Sequence, residues 1–348
     1  MDDINLGSIS RGQESDLRSA VSGSFGEIKN NAVIEDLAER IDVGDIEGVL
    51  IALGITEAAF GPIEQAIQNA YRKGGDTGAK QVGRIPDPGG KVSFMFSFNA
   101  RNPRAEQWLR QNSSDLIVEI TRDQREMVRQ RLTSGLSEGI NPRQSALDLV
   151  GRKNRVTGRR EGGFIGLTNR QSNWVSDARL ELEFVHLTKG TDYLGRKLRN
   201  KRFDAMVKRA NKSGKPLTAA QIEGAITALQ SRTLKYRGDV IARTESINAL
   251  RAGQHESLRQ ATEAGDVLEE DVTREWDATG DLVTRPTHAG ADGQKRKGNA
   301  PFDVGGYQLR YPGDSSLGAP GEETISCRCL ENTSINFGAR VARIEGFS

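Results

Sequence analysis

The sequence predicts an α+β protein, a mostly α-helical body followed by a small C-terminal domain of mixed strands and turns. Three observations point there. Apolar residues recur at helical spacing through about residues 104–265. Residues 271–330 then gather Gly, Pro and Asp. These favour short strands and specified turns, because Gly supplies positive φ, Pro fixes φ and Asp bonds to nearby backbone. Finally, 28% of the residues are charged and only 5% aromatic, which suits solvated helices better than a large enzyme sheet. At 348 residues the chain can bury a real core, and two or three domains are expected.

Residues 1–30, rich in Ser, Gly and charge, read as a mobile N-terminal arm. Residues 31–75 predict an acidic helical segment. Val33, Ile34 and Leu37 form one apolar face, and Ile46, Val49, Leu50 and Leu53 the next, with Gly54 as a stop. Thr56 is placed to cap a helix bearing Phe60, Ile63 and Ile67, which Gly74-Gly75 would end. Residues 76–100 read as a linker and short strand, the strand carried by the alternation in Val92–Phe98.

The helical body spans residues 101–265. Asn102-Pro103 opens it, and Ser114 is placed to cap a second helix with Ile117, Ile120, Met127, Val128 and Leu132 on one face, ended by Gly135 and Gly139. Asn141-Pro142 restarts it with Pro at the first helical position. Residues 151–166 break the pattern as a flexible basic loop, and a helix follows over 168–187. The segment 193–215 is basic and amphipathic. Thr218–Gln221 forms a capping box before Ile222, Ile226 and Leu229, and Arg237–Ala264 is the last long helix, stopped by Gly265. Residues 266–335 make the C-terminal domain and 336–348 a tail.

The net charge of +2 hides an asymmetry. Residues 31–66 hold eight carboxylates against Arg40 alone, while 151–170 hold six cations against Glu161 and 195–215 nine against Asp204. Arg152, Lys153, Arg155, Arg159, Arg160, Arg196, Lys197, Arg199, Lys201 and Arg202 are therefore candidates for nucleic-acid or partner binding. The alternative is that they solvate helix faces. Few aromatics argue against a stacking platform for single strands. Neither a phosphate loop nor a dinucleotide fingerprint is present. No apolar leader follows Met1, and the longest apolar run, Val49–Leu53, is too short to span a bilayer, so cytoplasmic synthesis is expected.

His288, Cys327 and Cys329 are the chemically informative side chains. Imidazole and thiolates are good Zn²⁺ ligands, and Asp281, Asp292 or Asp314 could supply a fourth, although Cys-x-Cys is tighter than usual zinc spacings. A Cys327–Cys329 disulfide would close a strained ring. The plainest reading is two small side chains packed on one face of an extended segment. A hydrolytic or nuclease site of His288 with Asp281 and Asp292 is an alternative, but neither H-E-x-x-H nor a nucleophile elbow accompanies it. His186 and His255 read as structural. Arg243 and Glu245, two apart on a helix, point to different sides and suit structural pairing.

The order of several short motifs resembles the C-terminal domain of the phage Mu F-like head morphogenesis family, minor capsid proteins of tailed double-stranded DNA phages. These are Ile241-Ala-Arg-Thr-Glu245, Trp276-Asp277 with Thr279-Gly280-Asp281, Thr287-His288, Asp292-Gly293, Tyr311-Pro312-Gly313-Asp314 and Cys327-Arg328-Cys329. The close resemblance covers about residues 237–332, and a looser one, through Asn102-Pro103, Trp108-Leu109 and 135–170, most of the chain. It implies a non-enzymatic minor head protein acting with portal, major capsid or scaffold protein in head assembly, DNA packaging or genome entry. It also implies host cytoplasm and then virion head as its location, with neither membrane nor small-molecule substrate. A metal-dependent hydrolase carried in the head and a non-specific DNA-binding protein are the competing expectations.

Overall fold

The structure, a computed structural model, describes residues 6–86, 93–187 and 192–337. In chain order the elements are α1 (Leu6–Asn31), α2 (Ile34–Asp42), α3 (Ile46–Ala52), α4 (Gly61–Val82), β1 (Arg84–Pro86), β2 (Ser93–Met95), α5 (Pro103–Ser137) and α6 (Pro142–Val150). Next come β3 (Arg152–Lys153), β4 (Arg160–Glu161), α7 (Asn169–Glu183), α8 (Asp192–Gly195), α9 (Asp204–Ser213) and α10 (Ala219–Glu263). The chain closes with β5 (Val272–Asp277), α11 (Pro286–Gly290), β6 (Lys295–Lys297), β7 (Phe302–Val304), β8 (Tyr307–Leu309), α12 (Gly321–Thr324) and β9 (Leu330–Ile335). A helical body with a strand-containing C-terminal region is the α+β class expected.

The units are not successive stretches of chain. One is discontinuous, made from the described parts of Met1–Ala20, Ile63–Asp115 and Val240–Ser348; the other, central unit joins Val21–Pro62 to Leu116–Asp239. Helices α1, α5 and α10 each contribute residues to both, so a linear division at 100 or 265 cuts through packed structure.

Several expectations are overturned locally. The N-terminal segment is helix α1, not a mobile arm, in its described part. Leu17, Val21, Phe25 and Ile28 recur three or four apart and are buried, a stripe diluted by the intervening Ser and Gly. Gly74-Gly75 does not end α4, which runs to Val82. A Cβ on Gly74 would lie 2.0 Å from the Leu250 carbonyl oxygen, and one on Gly253 equally close to that of Tyr71. These glycines therefore let α4 and α10 touch backbone to backbone. Ser114 lies inside α5, which is one helix, and α10 is one helix of 45 residues where two were expected. Val92 lies outside the described residues; the strand it was to open is present as Ser93–Met95, paired antiparallel with β1.

In the central unit α7, α9 and the first part of α10 enclose Val175, Ala178, Leu182, Val207, Ile226 and Leu229. The reciprocal Thr218–Gln221 bonds start α10 as the sequence implies, and a Thr168 capping box starts α7. Asn141 caps α6 through Arg143 and Gln144. Acidic side chains of this unit are partly neutralised at home: Glu35 pairs with Arg143 at 2.7 Å, and Glu47 with Arg125 and Arg129.

Residues 151–166 are an anchored hairpin, not a flexible loop. Strand β3 pairs with β4. Lys29 donates to the Gly162 carbonyl, Gly163 N–H donates to Gln230, and Gln124 bridges Gly166 and Leu167. The glycines read as flexibility instead supply positive φ at 151, 158, 162, 163 and 166.

The stretch Ile46–Val82 is long and apolar enough in composition for a membrane-spanning window. It is broken between α3 and α4, where Gly54 has φ +64°, and Val49, Leu50, Ile55, Phe60, Ile63 and Ile67 are buried inside the protein.

Candidate metal centre

The centre is built on a three-stranded sheet of order β6-β5-β9 in the discontinuous unit. Residues of β5 alternate, so Val272, Arg274 and Trp276 face inward. Trp276 packs edge-on against Phe302 and His288, each with ring centres 5.5 Å away. Arg274, fully buried, donates to the carbonyls of Gly298, Ala300 and Arg310 and pairs with Glu331 at 3.1 Å. It ties β5 to β9 and to the loops on either side of β7 and β8. Sequence reasoning missed it; the signal was a charged residue at an inward position of an alternating strand.

His288 sits on α11, which Pro286 starts at a first-turn position where the missing N–H costs nothing. Cys327 and Cys329 lie on the extended segment entering β9. Ser326 immediately before them has φ +57°, alone among the described non-glycine residues in being positive. Its N–H donates to Thr244 Oγ1 of α10 at 3.0 Å, which helps hold that left-handed bend. The bend turns both thiols inward, and the intervening Arg328 points outward to Asp281 at 2.6 Å.

The three side chains converge. His288 Nδ1 is 3.3 Å from Cys329 Sγ and 3.7 Å from Cys327 Sγ, and all three donor atoms lie within 4.8 Å of one another. Each residue is 2% exposed or less. A Zn²⁺ ion with about 2.3 Å bonds to sulfur and about 2.0 Å to nitrogen, at tetrahedral angles, needs N···S separations of about 3.5 Å. The observed distances bracket that value. The group could hold a metal ion.

The surroundings favour a thiolate. Hydrogen bonding from Cys327, then His288, pulls the Cys329 thiol down to about 5 against its burial. Cys327 moves up, because it keeps its proton for that bond and is buried. Arg251, wholly buried, donates to Gln254 and to the Cys329 carbonyl; burial pulls its guanidinium down, while Glu331 and the two thiols oppose that. His288 Nε2 is 3.0 Å from Glu323 Oε2, close but off a hydrogen-bond line, and Thr287 Oγ1 donates to that same oxygen. Glu323 thus stands where the carboxylate behind a metal-bound imidazole stands. Neither Glu323 nor Arg251 was foreseen.

The proposed fourth ligands are elsewhere. Asp281 is gripped by Arg328 and caps its own loop, Asp292 accepts from Ala278 N–H, and buried Asp314 accepts from the amides of Arg310 and Ser316. Both cysteines are free thiols, so the disulfide is absent. Arg243 pairs with Glu14 at 3.3 Å, and Glu245 has a partner of its own. Tyr311 is buried beside His255 ahead of the Pro312-Gly313 turn, and Gly293 continues β5 pairing by donating to the Trp276 carbonyl.

The ten basic candidates divide. Arg152 bonds Glu223 and Gln144, Arg160 the carbonyls of Gly151 and Ala32, Arg196 both oxygens of Glu181, and Arg199 both oxygens of Asp204. These four hold the fold. Lys153, Arg155, Arg159, Lys197, Lys201 and Arg202 are exposed, the last lying over the Phe203 ring.

Compared with protein-family models, curated proteins and solved structures, the chain finds no match.

Proposed function

We propose that this chain is a minor component of a tailed-phage head that works by assembly contacts with portal and procapsid, made in the host cytoplasm and retained in the virion head. The observation that carries the reading is how the motif residues of the C-terminal domain are used. His288, Cys327, Cys329 and Trp276 are buried together, while Asp281, Asp292, Asp314 and Arg243 are spent on internal bonds. An assembly module needs such a rigid, closed core, whereas a hydrolase needs its general base within reach of substrate. The ion suited to the cluster is Zn²⁺, since two thiolates and an imidazole are softer than Ca²⁺ or Mg²⁺ prefer. It would fasten α11 to the start of β9. The six exposed cations of the central unit are the surface for an acidic partner or packaged DNA.

The test is co-expression with a portal and a major capsid protein of the same phage, followed by gradient sedimentation and a copy count. Co-migration at a few copies per particle is expected; a chain left at the top of the gradient would sink the assembly reading. Metal content by plasma mass spectrometry checks the ion separately. About one zinc per chain is expected, and none in Cys327→Ser/Cys329→Ser.

A further inference from the structure

A cavity of about 650 Å³ in the discontinuous unit is lined by three arginines. Gln68 and Arg72 come from α4, Ala100 and Arg101 from the turn before α5, and Glu106, Leu109 and Arg110 from α5 itself. Residues 68 and 72, and likewise 106 and 110, are one turn apart and share a helix face.

Many arginines of this protein are committed to carboxylates or carbonyls. Arg104, on the same helix as Arg110, is spent on Glu256 and Glu263. Yet among the described residues no carboxylate pairs with the side chains of Arg72, Arg101 or Arg110. Glu106 is the one acid in the lining, and even Arg110, four residues on, forms no ion pair with it. Three like charges around one concavity repel one another and focus a positive potential into it. Guanidinium forks match the paired oxygens of phosphate. The lining contains no aromatic ring, so it offers charge for phosphates and no stacking surface for a base.

We propose that this cavity binds a phosphate-rich anion through Arg72, Arg101 and Arg110. The shared chemistry is a run of phosphate groups, carried either by a nucleic-acid backbone or by a free polyphosphate. The site is independent of the zinc centre.

The experiment uses the full chain and two probes, inorganic tripolyphosphate by calorimetry and a labelled 20-base-pair duplex by anisotropy at several salt concentrations. Arg72→Gln/Arg110→Gln is the test variant and Arg11→Gln/Arg122→Gln, two exposed arginines outside any proposed binding surface, the control, with Arg101→Gln as a second test variant should the first lose its fold. Binding of tripolyphosphate that weakens about tenfold or more in the test variant, and not in the control, supports the site. A matching loss for the duplex, with the slope of log affinity against log salt falling by about two, identifies a nucleic-acid backbone as the source. Duplex binding untouched by the variant identifies free polyphosphate. Affinity for both probes equal in wild type and test variant, or no binding of either, overturns the proposal.

Discussion

Replacing Gly253 with alanine should destabilise the protein although it improves the helix that carries it. Gly253 lies inside α10, where alanine is favoured over glycine by about 1 kcal/mol. Against that, the new Cβ would meet the Tyr71 carbonyl oxygen at 2.0 Å and its carbon at 3.0 Å. Real Cβ contacts essentially never fall below 3.0 Å, so α4 and α10 must separate by about 1 Å. Overpacking typically costs about 1–3 kcal/mol, and a backbone carbonyl cannot swing aside, which puts this case at the upper end. A net loss of about 2 kcal/mol is expected. Gly23→Ala is the matched control: it also lies in a helix, α1, and its Cβ would meet nothing within 4 Å. It should stabilise by up to about 1 kcal/mol. Urea unfolding with a shared slope reads both changes. Equal stability of Gly253→Ala and wild type would refute the backbone-to-backbone packing of these helices.

Three further outcomes follow from the geometry. Arg274→Met strands buried Glu331 and three carbonyls, and should cost about 3–5 kcal/mol by urea unfolding; adding Glu331→Leu should recover part of it. In metal-free protein the depressed Cys329 thiol means the unfolded chain binds more protons between about 5 and the ordinary 9.0, so stability should rise with pH across that window. Raised Cys327 reverses the trend above it, and Cys329→Ser should erase the rising limb in pH-dependent melts. Arg160→Ala, which loses two carbonyl partners, should cost about 1–2 kcal/mol in thermal melts, whereas Arg155→Ala/Arg159→Ala should stay within about 0.5 kcal/mol of wild type.

Much of the fold was legible where local chemistry decides it. Asn141-Pro142, the Thr218–Gln221 box, and the stops at Gly54 and Gly265 act through bonds a few residues long, and each does what its sequence implies. The failures share a cause. Gly74-Gly75 looks like a helix stop because glycine is a poor helix former, but contact with Leu250 and Phe98, far along the chain, overrides that propensity. Ser114 looks like a cap because nothing local says that α5 continues through it. The convergence of His288, Cys327 and Cys329 could be suspected from residue type alone, but not their distances, since those depend on the left-handed turn at Ser326. Glu323 and Arg251 were invisible for the same reason: their positions beside the thiols and imidazole come from folding, not spacing.

The interleaving of the two units bears on how the chain leaves the ribosome. All of the central unit lies between Val21 and Asp239, so it can close as soon as that stretch has emerged. The discontinuous unit cannot. Its α4 glycines wait for Leu250 and Gly253, and Trp276 waits for Cys327 and Cys329, about fifty residues further along the chain. For the seconds that separate these events at about 5–20 residues per second, the apolar side of α4 has its partners still unmade. A nonsense mutation between Asp239 and Cys327 would therefore release a chain with one finished half and one half that never receives its core.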